Sequence, residues 1–309
     1  MGTTILITGA NGFVGRNLVN TFSRNSENTI IATDVQDSRI PLYSSDQRDI
    51  TYLSGDLSDK EINANLRENY RFDVIIHLAA ILSQADDMKT YFSVMDSNIY
   101  TTFLLLETAR AHSAKVLFPS TALVYGDKKA PFTEDMSSDP GVFYALSKHM
   151  SEELIRFYHK KYKIPYNIFR IGILYGPGQH NAMFIPSLIT KLLDGEQFDM
   201  TKGEQVRDFV YIDDFMRLLQ RAMTKKDISG MFNVGTGNAP LMKDVALIAE
   251  ELTGIKGKIN LGGLSYREHE VWEYCLDITK TKNTFGWSPE INLRQGLQNA
   301  ISYYSQFIK

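Results

Sequence analysis

The first fifteen residues constrain this chain more than any other stretch. A short β-prone run, Thr4-Ile5-Leu6-Ile7-Thr8, leads straight into Gly9-Ala10-Asn11-Gly12-Phe13-Val14-Gly15 and then the helix-compatible Arg16-Asn17-Leu18-Val19. Glycine at every third position lets the backbone turn sharply and come close to a bound group. The unpaired N–H groups at the start of the following helix favour an anion there. A second apolar run, Thr29-Ile30-Ile31-Ala32-Thr33, ends in Asp34, at the distance where a carboxylate accepts from a ribose 2′-OH. Strand, glycine turn, helix and acid in this order predict a dinucleotide site.

The pattern then alternates. Strand-like runs fall at Ile50–Leu53, Asp73–Leu78, Lys115–Pro119 and Tyr166–Ile171, and long helical segments at Met95–Ala111 and Ala145–Tyr162. In the second helix Met150, Leu154, Phe157 and Tyr158 recur at intervals of three and four and form one apolar stripe. Strands alternating with helices predict an α/β fold with a doubly wound parallel sheet. Past Gly176 the rhythm changes to helices near Pro186–Leu193, Asp213–Met223 and Met242–Leu252 between short strands. We therefore expect residues 1–175 to form a Rossmann domain binding the dinucleotide and residues 176–309 a smaller α/β substrate lobe. Residues near 205–238 are also read as a return of the chain to the first domain.

A net charge of −3 gives no basic footprint for nucleic acid. The single cysteine, Cys275, allows no internal disulfide, as in a reducing compartment. The first apolar run lacks a basic flank and is too short for a signal peptide, and no run reaches the ~18 apolar residues of a membrane span. Met1-Gly2 is followed by Leu6 where a myristoylation signal needs Ser or Thr. The expectation is a cytoplasmic globular protein with neither nucleic acid nor membrane as partner, and with no metal.

Tyr144 and Lys148 stand four residues apart at the start of the second long helix, one turn apart on one face. An ammonium beside a phenol favours the phenolate and lowers its pKa from ~10 toward neutrality. Tyr144 then becomes a general acid/base for a hydroxyl or ketone. Thr121 follows the strand Lys115–Pro119, and the carboxyl ends of strands in a doubly wound sheet line the ligand crevice. Its hydroxyl is placed to hold the oxygen that Tyr144 protonates.

With these residues in view, the chain resembles an extended short-chain dehydrogenase/reductase of the NAD-dependent epimerase/dehydratase family, which acts largely on nucleotide sugars. The matching segments run in order: TGANGFVG (8–15), Asp34, GDL (55–57), HLAA (77–80), Asn98, STALVYG (120–126), YALSK (144–148), RIGILYGPGQ (170–179), RDFVYIDD (207–214), FNVGTGN (232–238) and LDITKTKNTFGWSP (276–289). The resemblance implies that Gly9, Gly12 and Gly15, with the backbone of Phe13 and Val14, hold the pyrophosphate of NAD. It implies that Asp34 binds the adenosine ribose, that Asp56 and Leu57 bracket the adenine, and that Leu78, Ala79 and Ala80 border the cofactor, although those three also read simply as a buried strand end. Asn98 falls in the helix contributing to the cofactor site. Tyr144 matches the acid/base, Lys148 the residue holding the nicotinamide ribose, and Thr121 the hydroxyl that orients substrate. The resemblance also implies a homodimer, paired through helices at about 96–111 and 146–162.

Departures from the family narrow the reaction. The 4,6-dehydratases resemble Thr-Asp-Glu after the strand; here Thr121-Ala122-Leu123 offers no carboxylate to eliminate water. The small and apolar residues there resemble those of 4-epimerases and 4-ketoreductases, and the acid at Asp34 favours NAD and so tilts the expectation toward the epimerase. Ile173 and Met183 replace asparagines that commonly touch the substrate, Asn181 lying near the second, and Leu82 replaces a lysine near the nicotinamide. Arg207 and Arg267 match residues that clamp a diphosphate, a task suited to bidentate guanidinium. Their alternative reading is as surface ion pairs, Arg207 with Asp208 or Asp213 and Arg267 with Glu270. The expected substrate is a nucleoside-diphosphate sugar held between the lobes; the alternative is an NAD-dependent dehydrogenase of a small amino acid or sugar acid.

Overall fold

A computed structural model of the chain describes residues 2–36, 50–83, 85–267 and 270–307. Its elements begin with β1 (Thr4–Thr8), α1 (Phe13–Phe22), β2 (Thr29–Asp34), β3 (Ile50–Ser54), α2 (Lys60–Asn69), β4 (Val74–His77) and α3 (Met88–Val94). A π-helical turn, Met95–Tyr100, leads into α4 (Thr101–His112), followed by β5 (Lys115–Thr121), α5 (Phe143–Tyr162) and β6 (Tyr166–Ile171). Next come β7 (Ile173–Tyr175), α6 (Phe184–Leu193), β8 (Phe198–Met200), β9 (Val206–Arg207), β10 (Phe209–Tyr211), α7 (Ile212–Thr224) and β11 (Gly230–Val234). The last are α8 (Met242–Thr253), β12 (Ile259–Leu261), β13 (Glu273–Tyr274), α9 (Thr279–Phe285) and α10 (Leu293–Tyr304).

Two compact units share the chain. One takes Met1–Val124, Ser137–Arg170 and Leu218–Phe232; the other takes Tyr125–Met136, Ile171–Arg217 and Asn233–Lys309. The first is organised by a seven-stranded sheet of order β11-β6-β5-β4-β1-β2-β3. The paired strands β3-β2-β1-β4-β5 are parallel. This is the doubly wound α/β architecture expected from the sequence. In β1, Ile5, Leu6 and Ile7 are all buried because helices cover both faces of a parallel sheet. The edge strand β3 is only half-buried. Leu6, Ile31, Ile75, Val116 and Ile168 join Leu105, Leu106 and Ile155 of α4 and α5 in one core. From β1 the chain runs outward to β2 and β3, then returns to β4 on the other side. That reversal between β1 and β4 is the topological switch point, where a doubly wound sheet opens a crevice.

The helix expected over Met95–Ala111 is thus built as a π turn running into α4. In the second unit β7 pairs with β10, β8 with β12, and β9 with β13, all parallel. Asp214, buried at the start of α7, anchors this unit's C-terminal segment. It accepts from the N–H of Glu290 at 2.9 Å and Ile291 at 3.2 Å, while its carbonyl takes the indole N–H of Trp287 at 2.8 Å.

Candidate active site

At the switch point a cavity of about 460 Å³ opens beside the turn from β1 to α1. Gly9 has φ +65°, and a Cβ there would meet the amide nitrogen of Ala79 at 2.8 Å. A Cβ on Gly15 would stand 2.2 Å from the Gly9 carbonyl oxygen, so glycine is what lets α1 lie against the turn. Phe13 and Val14 form the first turn of α1, whose N-cap, Gly12, supplies no side-chain hydrogen bond. The amide dipoles of that turn favour a negative charge. This close, uncapped cradle fits a pyrophosphate.

Of the expected cofactor residues, Gly9, Gly12, Asp34, Asp56, Leu57, Leu78, Ala79 and Ala80 line the cavity. Asp34 accepts the N–H of Asn11 at 2.9 Å and that of Gln36 at 3.2 Å. Asp56 takes both the N–H and the hydroxyl of Ser58 at 2.8 Å. Sequence reasoning missed Ser93, Asp96, Ser97 and Thr101, which supply another part of the wall. The signal was the polar run Asp96-Ser97-Asn98 opening an otherwise apolar helix; the π turn presents Asp96 and Ser97 to the cavity.

Asn98 itself is buried behind that wall. Its side chain accepts the Ile81 N–H at 2.7 Å, donates to the Ile81 carbonyl at 3.2 Å and to the Ser147 hydroxyl at 2.9 Å. Ser147 in turn donates to the Tyr144 carbonyl at 2.7 Å, so Asn98 ties the segment after β4 to the start of α5. Beside it runs a second chain. Thr8 Oγ1 accepts the N–H groups of Leu78 at 3.1 Å and Ala79 at 3.0 Å, so its own proton goes to His77 Nδ1 at 2.9 Å. The other imidazole nitrogen therefore carries the hydrogen and donates to Thr102 at 3.0 Å. Burial, with Lys148 adding to it, pulls His77 down to about 3, so the ring is neutral.

Thr121 ends β5, largely buried, its Oγ1 accepting the Leu123 N–H at 3.2 Å. Tyr144 is the second residue of α5 and partly buried. Lys148, buried one turn later, seats its ammonium over the Phe118 ring at 3.9 Å. The expected pull of Lys148 on the Tyr144 phenol is not what prevails. Burial pushes Tyr144 up to about 12. Lys148 is drawn down to about 7 by burial, with Glu152 opposing the fall. Desolvation disfavours each charged form, and a spacing of four residues does not reveal it.

In the second unit Arg207 is mostly buried and paired with Glu270, neither of the partners expected for it. It also donates to the Val206 carbonyl at 2.8 Å and lies over the Tyr274 ring at 5.9 Å. Arg267 is exposed. Asp208, next to Arg207 in sequence, is fully buried and gathers the glycine loop after β11, accepting from the Thr236 N–H at 2.7 Å, its hydroxyl at 2.6 Å and the Gly237 N–H at 3.1 Å. Ile173 is fixed by β7 pairing, its N–H donating to the Asp208 carbonyl at 2.7 Å, while Met183 caps α6 with its side chain exposed.

Residues 5–235 match the model of the NAD dependent epimerase/dehydratase family. Over 311 residues the chain is 29% identical to a putative UDP-glucose 4-epimerase of Methanocaldococcus jannaschii, with 97% of each chain covered. A dTDP-glucose 4,6-dehydratase of Haemophilus influenzae is 27% identical over 334 residues, again with 97% of each covered. Among solved structures, the UDP-glucuronic acid 4-epimerase of Bacillus cereus, in complex with UDP-glucuronic acid and NAD, superposes with a TM-score of 0.88. It is 29% identical, covering 99% of this chain and 100% of that one.

Proposed function

The chain belongs to the NAD-dependent epimerase/dehydratase family, and on that premise we propose that it is a 4-epimerase of a nucleoside-diphosphate sugar. It is an NAD-dependent enzyme of the extended short-chain dehydrogenase/reductase class. The observation that carries the reading is the pairing of Asp34 on the cavity wall with a Thr121-Ala122-Leu123 strand end that has no acid. The first disfavours a 2′-phosphate; the second leaves hydride and proton transfer without the machinery for dehydration.

In this reading the first unit is the cofactor domain. Gly9, Gly12 and Gly15 with the amides of Phe13 and Val14 hold the pyrophosphate, and Asp34 the adenosine ribose. Asp56 and Leu57 bracket the adenine, Leu78, Ala79 and Ala80 border the cofactor, and Asn98 supports that border from behind. NAD, when bound, supplies the hydride acceptor for sugar oxidation and the donor for the return. Tyr144 takes the proton of the sugar hydroxyl and gives it back, while Thr121 hydrogen-bonds the same oxygen. Lys148 holds the nicotinamide ribose and, when charged, offsets the cost of the buried phenolate. In the second unit, the substrate lobe, Arg207 and Arg267 hold the diphosphate.

A homodimer and a cytoplasmic location complete the proposal. Phe103 of α4 and Met150 and Phe157 of α5 are exposed on the first unit, which supports helix pairing with a second copy. Among the described residues no helix is long and apolar enough to cross a membrane.

The test is to incubate the enzyme with UDP-glucose, UDP-glucuronic acid and UDP-N-acetylglucosamine and follow the C4 configuration by proton NMR. A C4 epimer formed without net NADH is the expected result. Stoichiometric consumption of reduced cofactor by a 4-keto sugar would make it a ketoreductase instead. Steady NADH formation with a simple hydroxy or amino acid, and no turnover of any nucleotide sugar, would establish the small-substrate dehydrogenase.

A further inference from the structure

Beside the proposed reactive side chains lies a buried ionic cluster to which the scheme above assigns no role. Glu152 sits one turn past Lys148 on α5, fully buried. Arg170, equally buried near the end of β6, forks onto it, with Nη2 at 2.6 Å from Oε2 and Nε at 3.2 Å from Oε1 and 3.3 Å from Oε2. The hydroxyl of Ser120, the residue before Thr121, donates to Glu152 Oε1 at 2.5 Å. Arg170 Nη2 also reaches Ser138 at 3.0 Å. One carboxylate therefore joins β5, β6 and α5.

A buried ion pair is weak evidence of stabilisation, because desolvating both charges offsets their attraction. Its place argues for another role. Burial favours the neutral form of Lys148, and Glu152 is the charge that opposes this. Lys148 in turn bears on His77 of β4, which is neutral, while the Phe118 ring of β5 lies under its ammonium and Tyr144 stands one turn back on the same helix. Arg170 on β6 and His149 on α5 face Glu152 itself, the latter with Nδ1 at 3.6 Å.

We propose that Glu152, fixed by Arg170 and Ser120, is a positioning residue: it keeps Lys148 an ammonium and sets the end of β5 from which Thr121 projects. This rests on the roles given above to Lys148 and Thr121. The neutral side of Lys148 has no charge to offer a ribose hydroxyl or a phenolate, so the site works only where the ammonium survives burial.

The experiment measures NAD affinity by calorimetry across the neutral pH range, for the native enzyme, Glu152→Asp, Glu152→Gln, the double variant Glu152→Gln/Arg170→Gln, and Lys148→Ala. The double variant leaves no unpaired buried charge, so it folds where Glu152→Gln alone does not. In the native enzyme affinity falls as pH rises through about 7. Loss of the Glu152 charge moves that fall about one unit lower, a roughly fivefold weaker affinity at neutral pH, and Glu152→Asp restores the native profile. Folded Glu152→Gln variants with an unmoved profile, beside a weakened Lys148→Ala, overturn this proposal alone. Unchanged affinity in Lys148→Ala overturns the role of Lys148 and this proposal with it.

Discussion

The carboxylate of Asp34 accepts the backbone N–H of Asn11 at 2.9 Å, which ties the end of β2 to the glycine turn after β1. Among the described residues, those lining the cavity include no lysine or arginine to meet a 2′-phosphate. NAD(H) is therefore expected to bind more tightly than NADP(H). Asp34→Ala should relax that preference and weaken NAD by about tenfold or more, since a hydrogen bond to a charged group is worth about 1.5–3 kcal/mol. Dissociation constants for both cofactors check this, and tighter NADP(H) binding by the native enzyme would refute it.

Replacing Tyr144 by Phe removes a proton donor and almost no volume. Turnover should drop by a factor of about 10² to 10⁴, the usual share of general acid–base catalysis, with NAD affinity nearly unchanged. Lys148→Ala should damage both, because in the proposed scheme it holds the ribose as well as the charge. Near-native kcat in Tyr144→Phe with a true substrate would remove Tyr144 from the mechanism.

These positions were legible because their signals are local. The strand Ile5–Ile7 is apolar on both faces, its glycine turn has a fixed spacing, and Tyr144 and Lys148 lie on one turn of helix. What stayed hidden depends on partners far along the chain. Helix α2 carries only Ile62 and Leu66 as large apolar residues, too few for a periodic stripe. Asp96 and Ser97 reach the cavity from a π turn that no spacing rule anticipates, with Ser93 and Thr101 flanking it on α3 and α4. Arg207 finds Glu270 rather than a neighbour in sequence. The pKa values of Tyr144 and Lys148 are set by burial, a property of the whole fold.

His77 makes the fold acid-sensitive. The folded ring titrates at about 3 against 6.5 for a free histidine, so between those values the unfolded state binds more protons and stability rises with pH. Its full contribution is present above about pH 6.5 and is lost as pH falls toward 3, at about 1.4 kcal/mol per unit. His77→Gln should lower stability near neutrality, by leaving the Thr8 and Thr102 partners imperfectly met, yet flatten the acid limb. Urea melts at several pH values read both effects; parallel pH profiles in the two proteins would rule out His77 as the cause.

Arg207 and Arg267 bear on the substrate rather than the chemistry. A diphosphate competing with Glu270 for Arg207 gains a charge-assisted, bidentate contact, and with Ile173 in place of a polar residue those arginines carry more of the recognition. Alanine at either position should raise KM for the nucleotide sugar far more than it lowers kcat, the mark of uniform binding lost. Glu270→Gln should lower KM by freeing Arg207. If both arginine variants lose kcat at unchanged KM, the diphosphate is held elsewhere.

The outer face of α4 and α5 sets the last expectation. On α5 the residues turned to the interior are Ala145, Ser147, Lys148, Ser151, Glu152, Ile155 and Tyr158, while Met150 and Phe157 of the apolar stripe remain exposed. Phe103 of α4 stands nearby, its ring edge-on to Tyr158 at 6.3 Å. Leu106, by contrast, turns inward to the parent core. Phe103, Met150 and Phe157 are each about half-exposed, so covering each against a partner gains about 1 kcal/mol or somewhat more. That contribution is made twice across a symmetric pair and is set against the cost of association. Phe157→Glu places a charge in the middle of that face and leaves the inward residues untouched. Sedimentation should find the native protein dimeric and the variant monomeric but folded, with NAD affinity retained. A native protein that sediments as a monomer at micromolar concentration would leave these side chains without the partner proposed for them.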